Sequence, residues 1–361
     1  MISVSTTFSV GVIGGGIGRQ HIEGYQSLDG RFQVAAICDL NLDLARSLAA
    51  EFKIARATDK VEELFASDID VIDICTPPGS HRKLIEAALD AGKHVVCEKP
   101  LVGSLADCDA VIARAARSDR LVMPIFQYRF AAGYQKLLRL IERGVAGPLH
   151  VATVETHWRR GADYYAVPWR GKWASELGGA LLGHAIHAHD MLCGAAGPIA
   201  EVFAFTATRV NPIETEDCAA ASLCFRSGAL ASLSVTLGAA EDMSRLRFCF
   251  RDLTAESALA PYNPGTEPWR FVPMSPEVAA RMEAALADFT PEPERFAGQF
   301  LRLHRSLATG GPLPVTLADS RASLELVTAL YHSASTSNVA PLPISAGHPR
   351  YVAWRMTAGG A

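Results

Sequence analysis

The stretch Phe8-Ser-Val-Gly-Val-Ile-Gly14-Gly15-Gly16-Ile17-Gly18 decides how the amino-terminal half of the chain folds. A short apolar run that ends in glycines predicts a buried strand, a tight turn and the start of a helix. Glycines at such a turn let the backbone approach a pyrophosphate, and the helix N-terminus offers it free N–H groups. A G-x-G-x-x-G spacing would need glycine at position 19, where Arg19 stands, so Gly18 takes the third role in a shorter loop. We therefore expect a dinucleotide to be held by Gly14, Gly16, Ile17 and Gly18.

A second apolar run, Phe32-Gln-Val-Ala-Ala-Ile-Cys-Asp39, ends in an acid. Strand, glycine turn, helix, strand and acid together fit one βαβ unit. A carboxylate at this point accepts hydrogen bonds from both hydroxyls of the adenosine ribose and repels a 2′-phosphate. Asp39 thus predicts that the cofactor is NAD rather than NADP.

Strands and helices continue to alternate as far as residue 126. Apolar runs predict strands at 69–75, 94–97 and 121–126, with helices at 42–52, 81–91 and 104–118. This order predicts right-handed crossovers and a parallel sheet, whose ligands lie at the carboxyl ends of the strands. Further residues that follow strand ends should line the same rim: Thr76, Pro77, Glu98, Lys99 and Gln127.

A glycine pair opens the middle of the chain, in the stretch Gly178-Gly-Ala-Leu-Leu-Gly-His184-Ala-Ile-His187-Ala-His-Asp190. On a continuous helix His184, His187 and Asp190 would share one face. Imidazoles and a carboxylate on one face suit proton transfer. Two alternatives remain open: a buried helix with hydrogen-bonded histidines, and a metal site through these three side chains.

The second half of the chain has a different pattern. Alternating runs at 149–157, 201–210, 218–225 and 229–237, the last two joined by Arg226-Ser-Gly228, predict strands and a hairpin. Ser275-Pro276 predicts a capped helix start, and helices are also expected at 294–307 and 318–335. The fold class is therefore an α/β doubly wound parallel sheet over residues 1–126, followed by an α+β domain over 127–361 with a large, mostly antiparallel, open-faced sheet.

Composition excludes several classes of protein. The formal charge of -4 and the absence of a basic block argue against nucleic-acid binding. No run of about 18 apolar residues predicts a membrane span, and the N-terminus does not resemble a signal peptide. The eight cysteines show no C-x-x-C pair, which favours buried thiols in a reducing cytoplasm.

Several of these motifs together resemble the Gfo/Idh/MocA family of nicotinamide-dependent oxidoreductases. They are Thr76-Pro77-Pro78 with His81, Glu98-Lys99-Pro100, the stretch from Tyr164 to Trp173, the glycine–histidine segment and Ile213-Glu-Thr-Glu-Asp217. The resemblance implies that His81 and Arg170 contact the cofactor, that His187 is the catalytic histidine and that Asp190 follows it. It also implies a homodimer or homotetramer through the carboxyl-terminal sheet.

The chain departs from the family where many members carry aspartate, four residues before the histidine. Gly183 stands there, with His184 beside it. Either the proton relay is shorter or His184 replaces the missing carboxylate, and the sequence leaves both open.

The chemistry that the resemblance implies is hydride transfer between nicotinamide and a secondary alcohol or ketone of a sugar or cyclitol. An imidazole suits the accompanying proton transfer, so we assign it to His187 with His184 as the alternative, and Lys99 stabilises charge on the oxygen. Substrate contacts are expected from Lys99, Arg159, Tyr164, Arg170, His184, His187 and Asp190. Two other functions remain open: cleavage of a sugar by transient redox with tightly bound NAD, and a non-enzymatic nucleotide sensor.

Overall fold

The computed structural model describes residues 6–354, within which the chain forms two compact units. The first comprises the residues up to Phe126 together with Phe296–Arg321. The second comprises Gln127–Arg295 and the residues from Ala322 onward.

The first part of the chain alternates strands and helices throughout. The strands are β1 (Phe8–Ile13), β2 (Phe32–Cys38), β3 (Arg56–Thr58), β4 (Val71–Ile74), β5 (His94–Cys97) and β6 (Val122–Pro124). The helices are α1 (Gly18–Gln26), α2 (Leu42–Phe52), α3 (Val61–Phe65), α4 (His81–Asp90) and α5 (Leu105–Ala115).

After residue 126 the elements become mainly long antiparallel strands and further helices. The helices are α6 (Ala132–Glu142), α7 (Ala162–Tyr165), α8 (Trp173–Glu176), α9 (Ala180–Gly183), α10 (Ile186–Ala196), α11 (Pro276–Leu286), α12 (Arg295–Thr309) and α13 (Leu317–Thr336). The strands are β7 (Leu149–Arg159), β8 (Ile199–Ala207), β9 (Cys218–Phe225), β10 (Leu230–Thr236), β11 (Gly238–Phe250), β12 (Leu253–Glu256), β13 (Arg270–Pro273) and β14 (Ala340–Pro341).

The six strands of the first unit form a parallel sheet in the order β3-β2-β1-β4-β5-β6. The chain runs outward from β1 to β3 and then returns to β4 on the other side of β1. Strand order therefore reverses between β1 and β4, which is where open sheets of this kind bind ligands. The expected doubly wound parallel sheet is confirmed.

The second unit contains an eight-stranded sheet in the order β13-β12-β11-β7-β10-β9-β8-β14. Its neighbours pair antiparallel except β7 with β10, which are parallel. The helices α9 and α10 lie against strands of this sheet, and Ser333 of α13 accepts a hydrogen bond from the amide of Ala204. Buried and exposed residues alternate along β8 and β10, so the other face of the sheet is open. The predicted α+β fold with an open-faced sheet is confirmed.

Side-chain caps begin several of these helices. Asn41 accepts from the amide of Leu44, Ser104 from that of Asp107, and Ser275 from that of Val278. Pro276 occupies the first turn after Ser275, as the sequence predicted. These short polar residues satisfy amides that have no partner within the helix.

The helix α12 departs from the predicted division of the chain, which assigned residues 127–361 to one domain. From Phe296 onward it belongs to the first unit. Phe300 stacks on Tyr25 of α1 with ring centroids 3.9 Å apart. Gln299 donates to the carbonyl of Pro124 at 2.7 Å and accepts from the amide of Phe126 at 3.1 Å. An amphipathic pattern shows that a helix has a buried face, but not which core receives it.

Candidate functional site

The glycine loop joins β1 to α1, and the space available for a side chain differs from one glycine to the next. Gly14 has a φ of +101°, and a Cβ there would lie 2.6 Å from the carbonyl oxygen of Cys75. A Cβ at Gly18 would lie 3.0 Å from Cγ1 of Val12, whereas one at Gly16 would meet no atom within 4 Å. Ile17 is the N-cap residue of α1 and gives no side-chain cap to it. The loop thus offers open backbone and helix N–H groups, which fit a pyrophosphate.

Asp39 directly follows β2 and is hydrogen-bonded to the same loop. Its Oδ2 accepts from the amide of Gly15 at 2.7 Å, and its Oδ1 accepts from the amide of Asn41 at 2.8 Å. The carboxylate is therefore held beside the glycines, as an acid that binds a ribose would be.

His81 lies inside the rim rather than on it. The residue is fully buried, with Nε2 2.7 Å from the carbonyl oxygen of Thr76 and Nδ1 3.0 Å from that of Pro100. Burial lowers the pKa of His81, although these carbonyls oppose the shift. Its observed role is to join the loop after β4, which carries Thr76 and Pro77, to the loop after β5.

Glu98 and Lys99 follow β5 at the carboxyl end of the sheet. Glu98 is buried and Lys99 is half-buried. The Lys99 amide donates to Oε2 of Glu98 at 2.9 Å, and Oε1 of Glu98 lies 3.1 Å from Nε2 of His21. Sequence reasoning missed His21. The available signal was a histidine on the first helix together with Asp73, an acid within the buried strand β4.

The expectation of one continuous helix after Gly178-Gly179 is wrong, because the segment forms two helices. The short helix α9 ends at Gly183, and α10 begins at Ile186. The amides of His184 and Ala185 both donate to the carbonyl of Ala180, so the turn widens there before the regular ladder resumes. His184 therefore does not share a helix face with His187 and Asp190. Gly183, a weak helix former, stands at the break.

His187 and Asp190 are held by neighbours within the second unit. The ring of His187 stacks on Tyr128 with centroids 4.3 Å apart, and both are buried. Asp190 forms a two-point salt bridge with Arg129, with Nε–Oδ2 and Nη2–Oδ1 distances of 2.6 Å and 2.5 Å. Such bidentate geometry fixes both side chains. Gln127 is buried in the 3₁₀ turn Gln127–Phe130, which also contains Arg129.

An aromatic and arginine cluster surrounds His184. Ring centroids of Tyr164 and Trp158 lie 5.5 Å and 5.6 Å from that of His184. Arg170 lies over Tyr164 at 3.7 Å, and Arg160 lies over Trp158 at 5.1 Å. Burial lowers the pKa of Arg170, and repulsion from Arg160 adds to this.

The segment that contains Arg159 and Arg160 was expected to border the substrate, and Arg159 was expected to contact it. In the structure Trp158 is buried on β7, so by the period-2 alternation of the strand Arg159 is exposed and Arg160 lies on the side of the cluster.

Gly183 has a carboxylate beside it even though it carries no side chain. A Cβ at this position would lie 3.9 Å from Oε1 of Glu176, which is buried and accepts from the amide of Gly171. An acid is therefore present next to the place where the sequence lacks aspartate.

The glycine pair before α9 is explained by close packing. A Cβ at Gly178 would lie 2.7 Å from the hydroxyl of Tyr331, and one at Gly179 would lie 2.0 Å from the carbonyl oxygen of Glu216. The Glu216 carboxylate accepts from the amides of Gly179 and Leu181 and from the Tyr331 hydroxyl. Burial raises the pKa of Glu216 to about 7.

Within residues 6–354, no helix combines the length and the apolar character that crossing a bilayer requires.

Two family models match consecutive parts of the chain. Residues 8–126 match the model described as "Oxidoreductase family, NAD-binding Rossmann fold", and residues 134–254 match the "GFO/IDH/MocA C-terminal domain". Together they cover more than half of the chain. The chain belongs to the GFO/IDH/MocA family. Its first unit is thus the NAD-binding Rossmann fold of this family, in agreement with the glycine loop and Asp39 described above.

Relatives in the GFO/IDH/MocA family are similar over different parts of the chain. Myo-inositol 2-dehydrogenase of Thermotoga maritima is 31% identical over 61% of this chain and 66% of its own length. D-apiose dehydrogenase of Paraburkholderia graminis is 32% identical over 41% of this chain and 40% of its own. Both matches therefore span less than two thirds of the curated relative.

A solved structure covers nearly the whole chain. The WlbA dehydrogenase from Bordetella pertussis, in complex with NADH and UDP-GlcNAcA, matches with a TM-score of 0.82 at 26% identity. The match covers 94% of this chain and 100% of that chain.

Proposed function

We propose that the protein is an NAD-dependent dehydrogenase that oxidises a secondary alcohol of a sugar, cyclitol or sugar derivative, or reduces the corresponding ketone. The observation that carries the proposal lies in the first unit. The open glycine loop, Asp39 and Glu98–Lys99 all stand at the carboxyl ends of parallel strands beside the reversal of strand order. The names of the relatives, dehydrogenases of inositol and apiose, support the class of substrate.

Asp39 favours NAD over NADP as the cofactor. Its carboxylate is fixed by the amides of Gly15 and Asn41, so it cannot turn away from an incoming ribose without losing both bonds. A fixed negative charge accepts from ribose hydroxyls and repels a 2′-phosphate.

Bound NAD⁺ supplies the acceptor for a hydride. Oxidation of the alcohol then releases one proton from the substrate oxygen, and we assign that proton to the imidazole of His187. Stacking on Tyr128 holds the plane of this ring, and the Arg129–Asp190 pair fixes the same helix one turn further on. The Lys99 ammonium is assigned to stabilising negative charge that develops on the substrate oxygen.

The cluster around His184 is assigned to substrate binding. Aromatic faces and guanidinium groups suit polyhydroxylated rings, and Tyr164, Arg160 and Arg170 provide both. Glu176 stands beside Gly183, so a carboxylate as well as His184 is available to a proton relay in this unit.

A substrate screen tests the proposal. Purified protein is incubated with a panel of polyols, cyclitols and aldoses and with NAD⁺ or NADP⁺, and nicotinamide reduction is followed by absorbance. We expect reduction with at least one substrate and a preference for NAD⁺. Turnover with no change in nicotinamide absorbance would instead favour sugar cleavage by transient redox. No turnover together with no calorimetric heat for NAD⁺ would refute the proposal.

Two pairs of variants test the assigned residues. Lys99→Ala and His187→Ala should each lower kcat by roughly two orders of magnitude, because each removes a group that handles charge at the substrate oxygen. Lys83→Ala and His150→Ala, which change exposed residues of the same types, are the controls. A near-normal kcat for His187→Ala would move the proton transfer to His184.

We further propose that a second copy of the chain covers the open sheet face of the second unit, giving a homodimer or homotetramer. This face carries Phe205, Leu230 and Val151, which are 61%, 54% and 43% exposed. Large exposed apolar patches are uncommon on monomers.

A reducing cytoplasm is the proposed compartment. The eight cysteines all lie within residues 6–354 and are free thiols, and four of them are buried.

A further inference from the structure

Four polar side chains meet inside the first unit. They are His21 of α1, Asp73 of β4, Cys75 just after β4 and Glu98 just after β5, which we call the His21 cluster. Their exposed fractions are 0%, 0%, 6% and 5%. Ionisable groups withdrawn from water to this extent must compensate one another.

Both ring nitrogens of His21 face a carboxyl group. Nδ1 of His21 lies 2.8 Å from Oδ2 of Asp73, and its Nε2 lies 3.1 Å from Oε1 of Glu98. The imidazolium form of the ring, in which both nitrogens donate, can bond to two carboxylates at once. The Cys75 thiol lies 3.3 Å from Nδ1 and donates to Oδ1 of Asp73 at 3.5 Å.

The surroundings strengthen these interactions. The ring of His21 packs against Phe296 and Phe300, with centroids 4.4 Å and 5.4 Å away. Burial alone lowers the pKa of His21, but attraction to Asp73 and the hydrogen bond with it outweigh burial and raise the pKa well above its ordinary value. Two further titratable neighbours, Tyr25 and Cys97, stay neutral because burial raises the pKa of each well above its usual range.

The His21, Asp73 and Cys75 donors also have the composition of a metal site. Their spacing argues against a bound zinc ion. Ligands at about 2.0 Å from a tetrahedral zinc stand about 3.3 Å apart. The Nδ1–Oδ2 distance of 2.8 Å is that of a hydrogen bond.

Glu98 connects the cluster to the rim of the sheet. Its Oε1 is held by His21, while its Oε2 accepts from the amide of Lys99 at 2.9 Å. Both oxygens are thus engaged, one by the buried cation and one by the backbone that carries the Lys99 side chain. Loss of the cation would remove the bond that holds Oε1 of Glu98 and would leave Asp73 without its charge partner.

We propose that His21 is a positioning residue of the NAD site, which holds the Glu98 carboxylate against the Lys99 amide and thereby sets the position of Lys99 for the reaction. The inference rests on the proposed function, because the cluster is proposed to position Lys99 and the proposed function gives Lys99 its part in the reaction. The step from His21 to Lys99 passes through a single carboxylate, so it can be tested by a double-mutant cycle.

The experiment compares His21→Gln, Glu98→Gln, the double variant and Cys75→Ala. Cys75→Ala is the matched control, because it changes a contact of the same imidazole without touching Glu98. Both Gln variants should lower kcat on the order of tenfold or more, since small displacements of a catalytic group have effects of this size. The double variant should fall no further than the more impaired single variant, because the two residues act in series. Calorimetric Kd for NAD⁺ should change less than kcat, since the glycine loop and Asp39 are intact.

Histidine NMR gives a readout that does not depend on activity. At about pH 8 an ordinary histidine, with a pKa of about 6.5, is neutral. The wild-type spectrum should contain one imidazolium signal that is lost in His21→Gln and titrates at lower pH in Glu98→Gln. If His21→Gln does not fold, the imidazolium signal of the wild type and its shift in Glu98→Gln still test whether His21 is charged and bound to Glu98.

Several results would overturn the inference. They are additive losses of kcat in the double variant, a normal kcat in folded His21→Gln, no imidazolium signal, and one equivalent of zinc that is lost in His21→Gln. Wild-type protein that neither binds NAD⁺ nor reduces it would overturn the proposed function instead, with the imidazolium signal still present.

Discussion

At the scale of single residues, Glu216 binds the glycine turn before α9 and should make the stability of the fold depend on pH. Its carboxylate is buried, and burial raises its pKa to about 7 although hydrogen bonds from Leu181, Tyr331 and Gly179 oppose the shift. At a pH between about 4.5, the pKa of Glu216 in the unfolded chain, and about 7, its pKa in the folded protein, the folded state binds one more proton than the unfolded state. Stability should therefore fall as pH rises through this window and level off above it.

Glu216→Gln should remove this part of the pH dependence, because an amide does not titrate. In urea unfolding, the wild-type loss of stability between about pH 4.5 and pH 7 should exceed that of the variant by on the order of 3 kcal/mol. Glu283→Gln, on an exposed residue of α11, is the control. Parallel curves for the wild type and Glu216→Gln would show that the pKa of Glu216 is the same in the folded and unfolded states.

Sequence spacing can locate some residues of the candidate site but not others. Gly14 and Gly18 follow from a local pattern, since a strand, a turn and a helix must connect within a few residues. The His21–Asp73 pair joins positions 52 residues apart, and no local pattern contains it. The alternation along β7 is also a local pattern, and it predicts that only one residue of the Arg159–Arg160 pair faces the aromatic cluster.

At the scale of elements, periodicity located most helices and strands but not the break near His184. The predicted limits of α2, β5 and β9 agree with the structure, because apolar periodicity and flanking glycine or acid residues are local. The break depends on Ala180 accepting from two amides and on Glu216 binding the turn from another part of the chain. Local periodicity likewise could not show which unit's core α12 packs against, because tertiary packing determines this.

The turn before α9 should tolerate no side chain at position 179. In Gly179→Ala the Cβ would meet the Glu216 carbonyl oxygen at 2.0 Å, and this is backbone that cannot rotate away. We expect a loss of at least about 2 kcal/mol of unfolding free energy, with kcat reduced because the segment bearing His184 shifts. Gly347→Ala, where a Cβ meets nothing within 4 Å, is the control. Equal stability of the two variants would contradict this packing.

At the scale of the whole molecule, the side chains on the open face of the second unit's sheet form rows that run across neighbouring strands. One row runs Glu201, Cys224, Leu230 and Val151, and another contains Phe205. At the other end of the sheet, Arg245 and Arg270 both pair with Glu256. One end of the face is therefore more apolar and the other carries compensated charge, a combination that suits contact with another protein surface.

Phe205→Asp should disrupt the proposed assembly without unfolding the chain. Phe205 is 61% exposed, so the substitution adds a charge to the face while removing little from the core. In light scattering the wild type should have two or four times the chain mass of 38.6 kDa, and the variant should approach the mass of one chain. Val352→Asp, on a residue 71% exposed outside the sheet, should leave the mass unchanged. The mass should fall because burying a charge at an assembled interface costs far more than exposing one to water. A monomeric wild type would contradict the proposed assembly.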